Sequence, residues 1–161
     1  MTPRTTGKRK RDPFDEVSFY LGRAYYDHIK LLERLLEEQG LSEYLRPGMG
    51  QILFSLFEKD DRIIKDLSSQ LRLSPSHLTA TLGRMTEAGV ISCRGDTKDR
   101  RAVRVRLTRF GRSLKPKCRK VLKDLNAILC GGIPAGDRTK IKRNLGQMVE
   151  NAKEYVKGGS L

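Results

Sequence analysis

The sequence predicts a mainly α-helical fold with a small β-hairpin wing, and three observations point to it. Apolar residues recur at helical spacing over most of the 161 residues. Over residues 90–107 the period changes to two, with a polar loop between two short strands. Three short predicted helices precede this hairpin, and that order is typical of a winged helix-turn-helix domain.

One long helix is predicted near the N-terminus, after a basic arm. Residues 1–12 hold Pro, Thr, Gly and a run of Lys and Arg, which indicates a mobile arm. Asp12-Pro13 suits a helix cap and first turn, apolar residues follow at helical spacing, and Gly40 is a natural stop. Because this helix is long for a small domain, we expect it to pack against more than its own chain.

Three shorter helices are predicted next. Pro47-Gly48 opens the first helix, and residues 64–71 form the second after a very short strand at 62–63. Ser74-Pro75 supplies the cap and the first position of the third helix, which runs to Gly89.

The hairpin that follows is predicted to be strongly basic. Residues 90–94 and 103–107 are the strands, and residues 95–100 form the polar loop between them. Arg104 and Arg106 are predicted to form a solvent-facing row on the second strand.

The C-terminal part is predicted to be helical again. Thr108 caps a helical region in which Pro116 bends the helix or delays its start, Gly131-Gly132 breaks it, and Asp137 caps the last helix. The predicted domains are therefore a mobile basic arm, a winged helix-turn-helix domain and a two-part helical dimerisation region. The mobile basic arm covers residues 1–12 and the winged helix-turn-helix domain covers residues 46–108. The dimerisation region consists of residues 13–45 together with residues 109–157.

The net charge of +14 is unevenly distributed along the chain. Residues 1–60 carry 10 Lys/Arg against 10 Asp/Glu, residues 61–112 carry 12 against 5, and residues 113–161 carry 11 against 4. A charge of this size predicts a polyanionic partner, either nucleic acid or an anionic membrane surface. The basic residues lie on a strand hairpin rather than on an amphipathic helix, which favours double-stranded DNA over a membrane.

Several functional classes find no support in the residues. We find no Ser/His/Asp or Cys/His set, no paired carboxylates and no phosphate-cradling loop, so neither an enzyme nor a cofactor is predicted. Three cysteines without a C-x-x-C pair and two histidines make a poor metal set, and the thiols are read as incidental. Because no long apolar run or signal-peptide pattern is seen, a cytoplasmic, nucleoid-associated location is expected.

The third short helix carries the predicted DNA-reading face. Leu78, Leu82 and Met85 fall on one side and should anchor the helix to the core. The opposite side is small, polar or basic and carries no acid, so it can enter the major groove. The predicted DNA-reading residues are Ser76, His77, Thr79, Ala80 and Arg84.

The wing supplies the second part of the predicted interface. Its cations are Arg94 on the first strand, and Lys98, Arg100 and Arg101 at the tip, where they can reach a neighbouring minor groove. Asp99 is expected to accept the guanidinium of Arg101 and so hold the loop in one shape.

The segment Ser74 to Thr108 resembles the core of the multiple-antibiotic-resistance regulator (MarR) family. The match includes L-T-x-x-L-x-x-M-x-x-x-G from Leu78 to Gly89, the D-x-R signature at Asp99 to Arg101, and a strand ending in Leu107-Thr108. The resemblance implies an obligate two-fold dimer whose reading helices enter the major groove. It also implies that Arg101 meets the DNA and that Asp99 pairs with it.

The same resemblance has implications for regulation. Members usually act as repressors that are released by a small phenolic or lipophilic effector or by oxidation of a cysteine. The cysteine of the oxidation-sensing members lies near the start of the first helix, and residues 14–26 contain none here. The implied effector pocket has as its candidate residues Tyr25, Tyr26, His28, Met49 and Phe54.

Two DNA-binding functions stay open at this point. The first is a sequence-specific regulator, and the second is a sequence-indifferent architectural DNA-binding protein, which the overall charge and the basic arm support. Competition with non-specific DNA separates the two, because a specific site wins by ~10³ or more.

Overall fold

The computed structural model describes residues 14, 16–97, 99 and 101–158. Its elements are α1 Val17–Glu38, α2 Gly50–Glu58, β1 Arg62–Ile63, α3 Ile64–Leu71, α4 Pro75–Glu87, β2 Ile91–Gly95, β3 Val103–Leu107, α5 Arg109–Ser113, α6 Lys115–Leu129 and α7 Ala135–Val156. This mainly helical order with a small antiparallel sheet confirms the predicted fold class. The predicted basic arm at 1–12 and the predicted cap at Asp12-Pro13 lie outside the described residues.

Two helices end in the same way, at a glycine with positive φ. Gly40 (φ 64°) follows α1 and Gly89 (φ 68°) follows α4, as the sequence predicted. The amides of the next residues, Leu41 and Val90, then donate to carbonyls five residues earlier at 2.8 and 3.0 Å. Both side chains are fully buried, so each helix end also inserts an apolar residue into the core.

The sheet has the order β1-β3-β2, with both pairings antiparallel. Strand β3 is therefore central, and Arg104 lies opposite Arg94 of β2 and Ile63 of β1. The predicted wing hairpin is confirmed, although β2 begins one residue later than predicted. Val90 is still part of the α4 helix end, and its carbonyl accepts the amide of Thr108 at 3.1 Å.

The core lies between α2, α3, α4 and the buried face of the sheet. Leu78, Leu82 and Met85 are all buried, which confirms the predicted anchoring side of α4. They share the core with a set of apolar residues from the neighbouring elements. These are Leu41, Ile52, Leu53, Leu56, Leu67, Val90, Ile91, Val105 and Leu107.

The connection from the wing into α6 packs on the same domain. Thr108 caps α5 through its hydroxyl, which accepts the Gly111 amide at 2.9 Å, as predicted. A break at Leu114 follows, and Pro116 occupies the second position of α6, where its missing N–H costs no helical hydrogen bond. The Lys115 ammonium then donates to the Phe57 carbonyl of α2 at 2.9 Å.

The chain divides into two compact units, the first ending at Lys123 and the second beginning at Asp124. In the second unit, α7 starts earlier than predicted, with Pro134 at the cap position and Asp137 inside the first turn. Asp137 was therefore wrongly predicted as the cap, because Pro134 already fixes an extended backbone and its carbonyl accepts the amides of the first turn. No helix among the described residues is long and apolar enough to span a membrane.

Candidate nucleic-acid interface

Helix α4 is fixed at its start by local chemistry. Ser74 has an extended backbone, and its hydroxyl accepts the His77 amide at 3.3 Å, which satisfies one of the free donors of the first turn. Pro75 occupies the first helical position, where no amide is needed. The predicted start of α4, with Ser74 as the cap and Pro75 as the first helical residue, is thus confirmed.

The outward side of α4 carries all five residues of the predicted reading face. Each of them is exposed, whereas the apolar anchors behind them are buried. Thr81 is buried between the two sides and donates its hydroxyl to the His77 carbonyl at 2.9 Å. The only acid of α4 is Glu87, which is exposed at its C-terminal end, so the exposed face presents no carboxylate before that last position. The exposed set is Ser76, His77, Thr79, Ala80 and Arg84.

The wing places two of its predicted cations on the surface. Arg94 in β2 and Arg101 at the end of the loop are both exposed. Lys98 and Arg100, which were predicted to contact DNA as well, lie outside the described residues. Asp99 is described and exposed between them.

A continuous series of hydrogen bonds shapes the wing loop. The Asp96 carboxylate accepts the Asp99 amide at 2.8 Å, and the Asp99 carboxylate accepts the Arg101 amide at 2.9 Å. The Ala102 amide donates to the Asp99 carbonyl at 2.9 Å, and the Asp96 amide donates to the Ala102 carbonyl at 2.9 Å. Both ends of the loop are therefore tied together at the sheet.

The predicted pairing of Asp99 with the Arg101 guanidinium is corrected by this geometry. Asp99 binds the backbone amide two residues ahead, which is the usual turn-forming bond of an aspartate. The predicted role, holding the loop in one shape, is retained with a different atom as donor. Arg101 itself is exposed at the end of the loop.

Arg104 and Arg106 are not the freely solvated row that the alternating pattern predicted. The Arg104 Nε donates to Asp96 Oδ2, and its Nη1 donates to the Asp61 carbonyl at 2.7 Å. Arg106 Nη2 donates to Asp61 Oδ2 at 2.8 Å. Their side chains are only 34% and 42% exposed, because acids of the same domain lie on the outer face of the sheet.

These ion pairs stabilise the charged form of Arg104. The hydrogen bond to Asp96, together with the nearby Asp61 carboxylate, raises the pKa of Arg104 above its already high ordinary value. The cleft beside them has a volume of about 510 Å³ and is lined by three arginines and two aspartates, with Gly95 and Thr97. Of the arginines that line this cleft, Arg94 is the exposed one, and it supplies the excess positive charge.

Asp60 is a second aspartate whose role the sequence did not reveal. Its Oδ1 accepts the amide of Leu107 at 2.8 Å, and its Oδ2 accepts Arg112 at 2.9 Å. It thereby joins the turn before β1 to the end of β3 and to α5. The available signal was the Asp60-Asp61 pair, which stands at the start of the basic part of the chain.

The predicted effector-pocket residues lie in different surroundings. Met49 is buried and its sulfur accepts the Arg46 amide at 3.4 Å, whereas His28 and Phe54 are half-buried. Tyr25 and Tyr26 are 66% and 60% exposed on α1. Whether these five residues line one pocket stays a prediction.

Family comparison covers the whole of this interface. Residues 50–111, from α2 into α5, match the family model of the winged helix DNA-binding domain. The reading helix and the wing both lie inside this range, and so do the acids that pair with the wing arginines. No curated protein sequence matches the chain.

Solved structures extend the comparison to nearly the full length. A MarR transcriptional regulator from Methanosarcina mazei Go1 is 23% identical over 86% of this chain and 97% of its own, with a TM-score of 0.68. BpsR of Bordetella bronchiseptica, whose DNA binding is regulated by 6-hydroxynicotinic acid, is 21% identical over 83% and 98%, with a TM-score of 0.69. The transcriptional regulator PcaV of Streptomyces coelicolor, solved with its natural ligand, is 18% identical over 91% and 100%, with a TM-score of 0.75.

At these identities the likeness establishes the fold. Residues 50–111 are similar to the winged helix DNA-binding domain, and the chain has the fold of MarR transcriptional regulators, which confirms the predicted resemblance. Two of the three structures are named as transcriptional regulators, and none as an enzyme.

Proposed function

We propose that the chain is a sequence-specific transcriptional regulator of the MarR family, which binds a near-palindromic operator as a homodimer in the cytoplasm, at the nucleoid. The observation that carries this proposal is helix α4, whose exposed face holds donors and no acid before Glu87 at its C-terminal end, while its opposite face is buried. The wing follows directly in the chain and carries exposed Arg94 and Arg101. A rigid donor face beside a cationic hairpin matches the demands of major-groove and minor-groove contact.

Roles on the reading face follow from side-chain chemistry. Small Ala80 allows the helix to approach the base edges closely, and Arg84 and His77 can donate to guanine acceptors or to phosphates. Thr79 and Ser76 supply short hydroxyls that bind either class of group. Arg101 is assigned to the minor groove or to the adjacent phosphates, because it lies exposed at the end of the wing loop.

Selection of bound duplexes from a random DNA pool tests the proposal. A regulator of this kind enriches a near-palindrome with half-sites about 10 base pairs apart, since two symmetric reading helices meet successive turns of one groove. Enrichment of no sequence, with equal competition by non-specific DNA at physiological salt, would favour the architectural alternative and contradict the proposal.

Substitutions then assign the contacts. Arg101→Ala is expected to weaken binding to all sequences and to lower the salt dependence by about one released counterion per subunit. His77→Ala with Arg84→Ala is expected to change the enriched bases, since these residues face the groove. Arg23→Ala, an exposed arginine of α1, is the matched control and should change neither property. An unchanged base preference in the double variant would show that α4 does not read the operator.

Dimerisation is proposed from the unburied apolar faces of the long helices. Helix α7 has 22 residues and no buried residue, although Ile141, Leu145 and Val149 recur along one side of it. Helices in proteins gain most of their stability by packing an apolar face, so we infer that a second copy covers that side. In α1, residues of the first half such as Val17 and Tyr20 are likewise more than half exposed.

The dimer is tested by Leu145→Glu against Gln147→Glu. Both variants introduce the same charge on α7, but Gln147 lies about 160° around the helix from Leu145. Sedimentation should give a monomer or an unfolded chain for Leu145→Glu and a dimer for Gln147→Glu. A wild-type chain that remains monomeric at micromolar concentration would contradict the homodimer.

Repression relieved by a small effector is the final part of the proposal. It is supported by likeness to BpsR, whose DNA binding responds to 6-hydroxynicotinic acid, and to PcaV, which was solved with a natural ligand. Thermal-shift measurements with 6-hydroxynicotinate and with phenol test it, because a ligand that binds the folded protein raises its melting temperature. Tyr26→Ala should abolish the shift if Tyr26 lines the pocket, and Glu58→Ala, at an exposed residue of α2, is the control.

A further inference from the structure

The wing loop is connected to the rest of the domain through one arginine of the central strand. Arg104 bridges two carboxylate-bearing residues: its Nε binds Asp96 in the loop, and its Nη1 binds the Asp61 carbonyl before β1 at 2.7 Å. Asp61 also lies 3.6 Å from Nη1 through its Oδ1, an atom that is buried and otherwise lacks a hydrogen-bond partner. We name Asp61, Arg104 and Asp96 the wing clamp.

The clamp is continuous with the bonds that shape the loop tip. Asp96 uses one carboxylate oxygen for Arg104 and the other for the Asp99 amide at 2.8 Å, and Asp99 in turn binds the Arg101 amide at 2.9 Å. Asp96 is 8% exposed, the lowest value of any described acid, so its position is determined by protein contacts rather than by water. The path from the sheet to the exposed arginine therefore consists of bonded neighbours throughout.

The backbone of Asp61 is part of the same arrangement. It has φ 56°, a left-handed conformation that costs free energy for a residue with a side chain. That conformation turns its carbonyl to Arg104 and its carboxylate to Arg106, which it binds at 2.8 Å. Two arginines on one face of β3 are thereby held at fixed positions by a single residue.

We propose that the wing clamp sets the conformation in which Arg101 is presented to DNA, so that Asp96 and Arg104 are positioning residues for DNA binding. This inference rests on the proposed DNA-binding function. It adds that the two acids of the clamp, Asp61 and Asp96, increase the affinity for DNA although DNA is a polyanion. Arg104 acts through Asp96 and needs no contact with the phosphates. The cation that the clamp serves is Arg101, which lies outside it.

The sign of one substitution separates this role from simple electrostatics. Asp96→Asn removes a negative charge next to the DNA and releases Arg104, so a purely electrostatic role predicts tighter binding. The clamp predicts weaker binding, by about tenfold, because the Arg101 contact is lost with the loop conformation. The matched control is Glu87→Gln, which removes the acid of α4 without breaking a clamp bond and should tighten binding about twofold or less.

A charge-conserving variant provides the second test. Arg104→Lys keeps the cation but cannot bind Asp96 and the Asp61 carbonyl together through a planar fork. The clamp predicts that it weakens binding as Asp96→Asn does, and that the slope of log K against log salt falls by about 0.9 per subunit. If Arg104 instead bound a phosphate directly, lysine would preserve both the affinity and the slope.

The measurement uses the full-length protein and its selected operator in titrations at several salt concentrations. The double variant Asp96→Asn with Arg101→Ala should bind no more weakly than Arg101→Ala alone, since both lesions remove the same contact. Hydrogen exchange at the Arg101 and Ala102 amides, measured without DNA, should accelerate in Asp96→Asn at a temperature where the variant stays folded. Tighter binding by Asp96→Asn, additive losses in the double variant, or unchanged exchange would overturn the clamp. Failure of the wild type to select any operator would instead overturn the proposed function.

Discussion

Gly111 is the position where the structure most clearly opposes a rule based on sequence alone. It lies inside α5, where replacing glycine by alanine ordinarily stabilises a helix by about 1 kcal/mol. A Cβ on Gly111, however, would lie 2.0 Å from the Val90 carbonyl oxygen, 3.0 Å from its carbon and 3.4 Å from Leu107 Cδ2. The first contact is with backbone, so it is relieved only if α5 moves away from the end of α4.

The magnitude follows from the two opposing effects. Forcing an extra methyl into a packed site costs about 1–3 kcal/mol, and here the obstacle is a carbonyl that also accepts the Thr108 amide. Because this clash is with backbone, the upper part of that range applies, about 2–3 kcal/mol. Subtracting the gain of about 1 kcal/mol in helix propensity leaves a net loss of about 1–2 kcal/mol for Gly111→Ala. In a chain of this size that corresponds to a fall in Tm of about 2–8 °C.

Urea denaturation at matched protein concentration measures the difference, because a dimer would make stability depend on concentration. Gly83→Ala is the control: it lies in α4, where a Cβ meets nothing within 4 Å, and it should stabilise the protein by about 0.5–1 kcal/mol. A Gly111→Ala variant as stable as the wild type would refute the inference that α5 is pressed against the Val90 carbonyl.

Four further results are expected. Burial raises the pKa of Cys118 to about 11, so iodoacetamide at pH 8 should modify exposed Cys93 and spare Cys118 in the folded protein, as peptide mass spectrometry can show. Because that pKa is raised, the stability that Cys118 contributes is complete below the ordinary pKa of 9.0 and decreases as the pH rises toward 11. The free energy of unfolding of the wild type should therefore fall relative to that of Cys118→Val between pH 9 and 11, and a constant difference would contradict this. Ser74→Ala should cost about 1 kcal/mol through loss of the α4 cap, whereas Ser76→Ala should cost far less, and equal losses by denaturation would argue against the cap. Asp60→Ala should cost about 1–3 kcal/mol because the Leu107 amide and Arg112 lose their acceptor, with exposed Glu58→Ala as the control that defines a negligible effect.

The features that were predictable from the sequence are those determined within a few residues. Ser74 and Thr108 cap the helices they were expected to cap, since the hydroxyl of each reaches an amide three residues ahead. Gly40 and Gly89 end helices because a left-handed residue is needed there. The buried side of α4 followed from helical periodicity, and the exposed reading face followed with it.

The wing clamp was not predictable by the same reasoning. Arg104 and Arg106 meet Asp61 across more than 40 positions of chain, and the alternation of β3 specifies only which side of the sheet they occupy. Which residues cover that side depends on the turn before β1, where Asp61 has a left-handed backbone conformation that the local sequence does not predict. The start of α7 was missed for a related reason, since Asp137 suits a cap by type but Pro134 determines where the helix begins.

The order of charged residues in the wing acquires a physical meaning from these bonds. Asp96, Asp99 and Arg101 are joined in sequence by hydrogen bonds from backbone amides to carboxylates, and Arg104 joins the series to the sheet. A surface built only to attract DNA would omit the two acids, because each lowers the local potential that draws the phosphates. The proposed wing clamp accounts for their presence, since on that proposal a defined loop conformation contributes more to binding than two further unpaired cations would. Asp99 and Arg101, which carry the family resemblance, are therefore one end of a longer series of hydrogen bonds. The other end of this series is Asp61, in the turn before β1.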